Sequence, residues 1–311
     1  MEDRKKTKTY YLLFMETVRD PRVKGKEMAL TLGRSGRGST ISSATRQLEN
    51  MYKEEVSYPP RLVLNNYSEF ETTAFLCRKS GMYGCANIFW KLYKKKLSSE
   101  ISSAFYLAGN YDFLITTRKS SINLNSVGLT ISETTKFFNP IYTIPTGWNV
   151  PMRKCITHFF NEKFMKKELT RKIEENLKWD GIDWKIYLSM RENLRKPIVQ
   201  VSNDIGESPY IIKKKLYQVV IPSCTIANFF FPLGYRYYNK IFLLFSSEYE
   251  NSITKALRKL PCTSYVYPLE KRIICILFHD SMKYILRLTK KMEEKDLAKD
   301  VLLSVPLASI F

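Results

Sequence analysis

The sequence predicts an α+β chain in which two winged, tri-helical helix-turn-helix domains alternate with two ferredoxin-like βαββαβ domains. Three observations predict it. A pattern of helix, short helix, turn and helix occurs twice. Each copy is followed by strand-rich sequence in the order βαββαβ. The 311 residues suffice for two larger units or about four small domains.

In the first copy, Tyr11, Leu12, Met15 and Val18 follow helical spacing, and Asp20-Pro21 breaks the run. Lys24 to Leu32 reads as a short helix, and Gly33-Arg34-Ser35-Gly36-Arg37-Gly38 as a turn. Ser39 or Thr40 then caps a third helix with the stripe Ile41, Ala44, Leu48 and Met51. In the second copy, Ile182, Ile186, Leu188 and Met190 mark the first helix, and Asn193 to Pro197 the break. Ile198 to Ile205 is the short helix, ended by Gly206. Ser208 caps the third helix, Pro209 takes its first position, and Ile212, Leu216 and Val219 face inward.

The following segments read in parallel. Strands are expected at Leu62–Leu64 and Glu71–Cys77, and at Thr225–Phe231 and Tyr238–Phe245. Helices follow at Cys85–Lys96 and Tyr249–Leu260. Two strands come next in each copy, Ser103–Leu107 with Phe113–Thr117 and Thr263–Tyr267 with Ile273–Phe278. A second helix is expected at Leu124–Phe138 and at Ser281–Leu297, then a last strand at Ile141–Ile144 and at Val301–Leu307. Phe160, Phe164, Leu169, Ile173 and Leu177 suggest a connecting helix. The expected domains are 1–64, 65–150, a connector at 151–178, 179–230 and 231–311.

Charge and rare residues set the function class. Lys+Arg number 50 and Asp+Glu 30, a net charge of +20, which favours a polyanionic partner. No run of about 18 apolar residues is present, so no membrane span is expected. Met1 to Thr9 is polar, which fits a cytoplasmic, nucleoid-associated protein. The six cysteines form no C-x-x-C pair, so no zinc and no cofactor is expected. His158 and His279 read as structural residues. No Walker loop, GxGxxG, G-x-S-x-G or H-E-x-x-H occurs, and the expectation is a protein that is not an enzyme.

The third helix of such a tri-helix can enter a DNA major groove. The candidate duplex-DNA contacts in the first copy are Arg34, Arg37, Thr40, Ser42, Ser43, Arg46 and Gln47. Hydroxyls and helix N-terminal N–H groups suit phosphate oxygens, and Arg46 and Gln47 have the donors to read G or A edges. In the second copy the candidates are Tyr210, Lys213, Lys214, Tyr217 and Gln218, a more electrostatic grip.

The whole plan resembles the Lrp/AsnC (feast/famine) family of prokaryotic transcription regulators, written twice in one chain. Phe231-Pro232-Leu233-Gly234-Tyr235 is similar to the family's segment leading into its effector domain. Ala108-Gly109-Asn110-Tyr111-Asp112 is similar to its Gly-x-Tyr-Asp turn, and Asp183-Trp184-Lys185-Ile186 through Asn193 to its opening helix. The first copy has Asn65-Asn66-Tyr67-Ser68 in place of the Pro-x-Leu-Gly-Tyr segment, and the second has Leu269-Glu270-Lys271-Arg272 in place of the turn. The resemblance implies an intramolecular pseudo-dimer that could assemble further. It also implies an amino-acid-like effector at Gly109, Tyr111 and Asp112, at most one site per chain. Two alternatives share the architecture: a sirohaem-decarboxylase-like enzyme, and a non-specific architectural protein that coats DNA.

Overall fold

The computed structural model describes residues 2–81, 84–98, 100–119 and 122–310. Helices α1 (Glu2–Arg19), α2 (Gly25–Thr31) and α3 (Ser39–Lys53) form the first helix-turn-helix unit. Their core is Tyr10, Leu13, Phe14, Met28, Ala29, Ala44, Leu48 and Met51. The buried stripe of α1 thus lies one position off the predicted one, with Tyr11, Met15 and Val18 at its margin. Strand β1 (Arg61–Leu64) follows.

The next elements are β2 (Thr72–Lys79), α4 (Cys85–Leu97), β3 (Ser103–Ala108), β4 (Phe113–Thr117), β5 (Leu129–Phe137) and β6 (Ile141–Tyr142). Here the expected helix at Leu124–Phe138 is wrong. Asn125–Val127 makes one 3-10 turn, Gly128 takes a left-handed φ of 90°, and the chain then extends as β5. Threonines and Ile131 in Leu129–Phe137 are stiff at χ1 and suit a pleated strand. The first ferredoxin-like unit therefore has its fourth strand at β5, and no second helix occurs among its described residues. Ile141–Tyr142 is not that fourth strand, since β6 pairs with the second unit.

The connector is also different from the expected one. Helix α5 (Met152–Phe160) ends before most of the predicted span, and residues 161–180 contain no helix. Their backbone bonds go outward: Lys167 N donates to Glu248 O (2.8 Å) and Leu169 N to the Glu250 carboxylate (2.9 Å). Phe164 and Leu169 pack singly into the second unit's core.

Helices α6 (Gly181–Met190), α7 (Ile198–Ile205) and α8 (Pro209–Lys215) form the second helix-turn-helix unit. Asp180 caps α6, Gly206 ends α7 at a φ of 81°, and Ser208 caps α8. A π turn, Leu216–Val220, continues α8 and shifts the buried position from the predicted Val219 to Val220. Leu188, expected inside, is exposed.

Strand β7 (Cys224–Ala227) precedes the second ferredoxin-like unit: β8 (Asn239–Ser246), α9 (Glu250–Leu257), β9 (Tyr265–Pro268), β10 (Ile273–His279), α10 (Met282–Glu294) and β11 (Lys299–Ile310). The main sheet has nine strands in the order β5-β2-β4-β3-β11-β8-β10-β9-β6. Alternation sorts its faces. Ile241, Leu243, Phe245, Cys275 and Leu277 meet α5, α9 and α10, whereas Phe242, Leu244, Ile274, Ile276 and Phe278 share a core with Ala74, Leu76, Phe105 and Leu114 of the first unit. The sheet thus curls over its own inner face until Phe137 at one edge bridges Leu269 near the other.

The halves also exchange segments. β1 pairs antiparallel with β7, Leu62 opposite Ile226. Leu62 enters the second helix-turn-helix core, and Phe230 enters the first. Burying a side chain such as Phe230 contributes about 1.5–3 kcal/mol, so each tri-helix depends on the other half.

Candidate functional site

Three positions carry the predicted site residues. On the first unit, left-handed glycines 33, 36 and 38 shape the turn before α3. Arg34 is turned inward, donating to Ser43 Oγ (3.0 Å) and Gln47 Oε1 (3.2 Å). Thr40 Oγ1 donates to Arg37 O (2.7 Å) and accepts from Arg37 N (3.1 Å). Arg37, Ser42 and Arg46 are exposed, and their side chains make no hydrogen bond or ion pair among the described residues.

On the second unit, Tyr210, Lys213, Lys214, Tyr217 and Gln218 line one open groove of about 420 Å³ along α8. Tyr210 is 75% exposed and Tyr217 44%. Lys215 behaves differently: it bridges Asp180 (2.7 Å) and Asp183 (3.1 Å), tying α8 to the start of α6. The Tyr217 hydroxyl lies against the Arg22 guanidinium of the first unit.

The third position is the seam where the curled sheet meets itself. The turn after β3 was expected to hold an effector through Gly109, Tyr111 and Asp112. The structure separates them. Gly109 is packed so closely on β11 that a Cβ there would lie 2.8 Å from Leu303 O. Asp112 accepts from Lys79 N (2.8 Å), which pins the turn. Tyr111 alone of the three reaches across, its hydroxyl donating to Glu133 Oε2 (3.3 Å). Arg272, from the turn after β9, bonds the same carboxylate oxygen. That contact and Tyr111 raise the Arg272 pKa, although burial opposes the charge.

Beside this triad lies a cavity of about 230 Å³ lined by Glu133, Thr134, Thr135, Leu269, Glu270, Lys271 and Arg272. A second, of about 180 Å³, shares Lys271 and adds Ser246, Ser247, Glu248 and Lys299. The turn 269–272, read from sequence as a poor site, therefore lines the cleft. Glu133 was missed because its segment was read as helix; the β-branched residues Thr130, Ile131, Thr134 and Thr135 around it were the available signal.

Histidine and cysteine chemistry lie elsewhere. His158 is exposed on α5 and His279 is buried on β10. All six cysteines are free. Burial pushes the Cys77, Cys155 and Cys224 thiols up to about 12 and raises those of Cys262 and Cys275, which makes them poor nucleophiles. No group of three metal-ligating side chains, and no helix long and apolar enough to cross a membrane, occurs among the described residues.

No protein-family model and no curated protein matches the sequence. Among solved structures, the fold is similar to the crystal structure of the siroheme decarboxylase NirDL. The TM-score is 0.52 and the identity 9%, over 96% of this chain and 91% of that one. At this identity the likeness is one of fold: a mixed α+β chain with a large antiparallel sheet. The same decarboxylase in complex with an iron-uroporphyrin III analogue aligns at a TM-score of 0.49 and 8% identity, over 96% and 90% of the chains. The likeness does not support a tandem transcription regulator. It also overturns the expectation that the chain is not an enzyme, because the neighbour that shares this fold over 91% of its length is one.

Proposed function

We propose that this protein is a decarboxylase acting on a polycarboxylated tetrapyrrole of the siroheme kind. The observation that carries the reading is the end-to-end likeness, tandem plan included, to a siroheme decarboxylase. The charge of +20 favours a substrate that bears many carboxylates. The seam cleft is the place we assign to the chemistry. A cavity of about 230 Å³ takes one carboxylate arm, with the macrocycle lying outside it. Lys271, between the two cavities, and Arg272 would hold carboxylates by charge-assisted hydrogen bonds. Decarboxylation breaks the C–COO⁻ bond, leaves its electron pair on the carbon, releases CO2 and consumes one proton. Tyr111 is the hydroxyl placed to deliver that proton, held by Glu133. Incubation with siroheme, absorption spectra and the mass of the extracted pigment test this. Loss of CO2 from the pigment is expected, and an unchanged mass at full protein excess would refute it.

A second reading is duplex-DNA contact by the first helix-turn-helix unit. Arg37, Ser42 and Arg46 favour it, standing exposed and unengaged beside an Arg34 already set by Ser43 and Gln47. Such contact, made chiefly through phosphates, weakens steeply with salt. A gel shift on mixed-sequence duplex over several salt concentrations checks it, and no shift at low salt removes it.

A further inference from the structure

The outer face of α8 does not look like that of α3. We infer that it is a platform for single-stranded nucleic acid, an activity independent of decarboxylation. Tyr210 and Tyr217 both line the groove, seven residues and therefore about 10 Å apart along the helix. Lys213 and Lys214 lie between them, exposed and without an ion pair among the described residues. Two exposed rings with cations between them match what a single strand offers: flat bases to stack on tyrosine, and phosphates to meet lysine. A duplex hides its base faces, so two tyrosines this exposed would gain little from it. The π turn Leu216–Val220 continues α8 and carries Tyr217 and Gln218, which line the groove together with Tyr210.

The groove is built on a helix-turn-helix unit but uses stacking in place of base-edge reading. Arg and Asn are absent from its lining; Gln218 is its one amide.

The test is fluorescence anisotropy of the full chain with labelled oligo(dT) of about 20 nucleotides, against a mixed-sequence duplex of equal length at the same salt. Oligo(dT) is expected to bind more tightly than the duplex. Tyr210→Ala should weaken it by about tenfold, and Tyr210→Phe should keep most of the affinity. Lys213→Gln with Lys214→Gln should flatten the salt dependence. Tyr210 is so exposed that its replacement should leave the fold intact, which circular dichroism checks. Tighter binding of duplex, or an unchanged oligo(dT) affinity in Tyr210→Ala, overturns the inference.

Discussion

Arg22 and Arg195 occupy the same place in the two helix-turn-helix units, three residues before their second helices, and each donates to the other's main chain. Arg22 Nη1 bonds the carbonyls of Leu194 and Lys196, while Arg195 bonds Pro21 O (3.0 Å) and Val23 O (2.9 Å). The exchange clasps the two units turn to turn. Burial lowers the Arg22 pKa, and the nearby Arg195 charge adds to this.

Removing either arginine leaves two carbonyls without their charged donor. Arg22→Met and Arg195→Met should each lower stability by about 1–3 kcal/mol in urea unfolding. The double variant should lose less than the sum, because each single variant already opens the clasp. Losses that add within a few tenths of a kcal/mol would show two separate contacts.

Gly109 is structural in this chain, and its replacement tests that. A Cβ would lie 2.2 Å from Ser304 Oγ and 2.8 Å from Leu303 O, so β3 and β11 must part. Gly109→Ala should cost about 1–3 kcal/mol. Adding Ser304→Gly should restore part of it, since the main-chain clash remains. A neutral Gly109→Ala in thermal unfolding would return the residue to the list of ligand contacts.

The difference between what could and could not be read from sequence has a physical pattern. Local rules sufficed where one short segment decides the outcome: Ser208 and Pro209 start α8, Gly206 stops α7, and Ala44, Leu48 and Met51 form a buried stripe. They failed where partners are distant. β5 is held by β2, with Phe75 opposite Thr134, and that pairing outweighs any local helical preference. Residues 161–180 spend their hydrogen bonds on Glu248 and Glu250 instead of on themselves. The seam cleft follows the same logic: Tyr111, Glu133 and Arg272 meet only because the sheet curls, and no spacing in the chain records that.

Asp180 links acid sensitivity to the second helix-turn-helix unit. Its carboxylate bonds Lys215 and the amides of Ile182 and Asp183, which lowers its pKa from 3.8 to about 2. The folded state therefore favours the charged form. Its contribution is present above about pH 4 and is lost as pH falls toward 2. Solvent screening keeps the charge effect small at this exposed site. Asp180→Asn keeps the capping acceptor and should remove the acid dependence with under about 1 kcal/mol lost at pH 7. Asp180→Ala also loses the cap and should cost about 1 kcal/mol more. Equal stability of the Asn and Ala variants at pH 7 would show that the cap contributes nothing.

His279 should set a second pH dependence, of opposite location. It ends β10 on the face covered by the helices, is 2% exposed, and neither ring nitrogen has a hydrogen-bond partner among the described residues. Burial lowers its pKa below 6.5, although Asp280 opposes the shift. The folded state thus holds the ring neutral, while the unfolded chain takes up a proton below about pH 6.5. Stability then falls as pH drops through that value, since the unfolded state binds more protons there. His279→Leu removes two unpartnered polar atoms, each of which costs about 1–3 kcal/mol when buried. The variant should unfold at higher urea than the natural chain, and the gap should widen from pH 7 to pH 5. An equal loss of stability in both proteins over that interval would place the acid sensitivity in other groups.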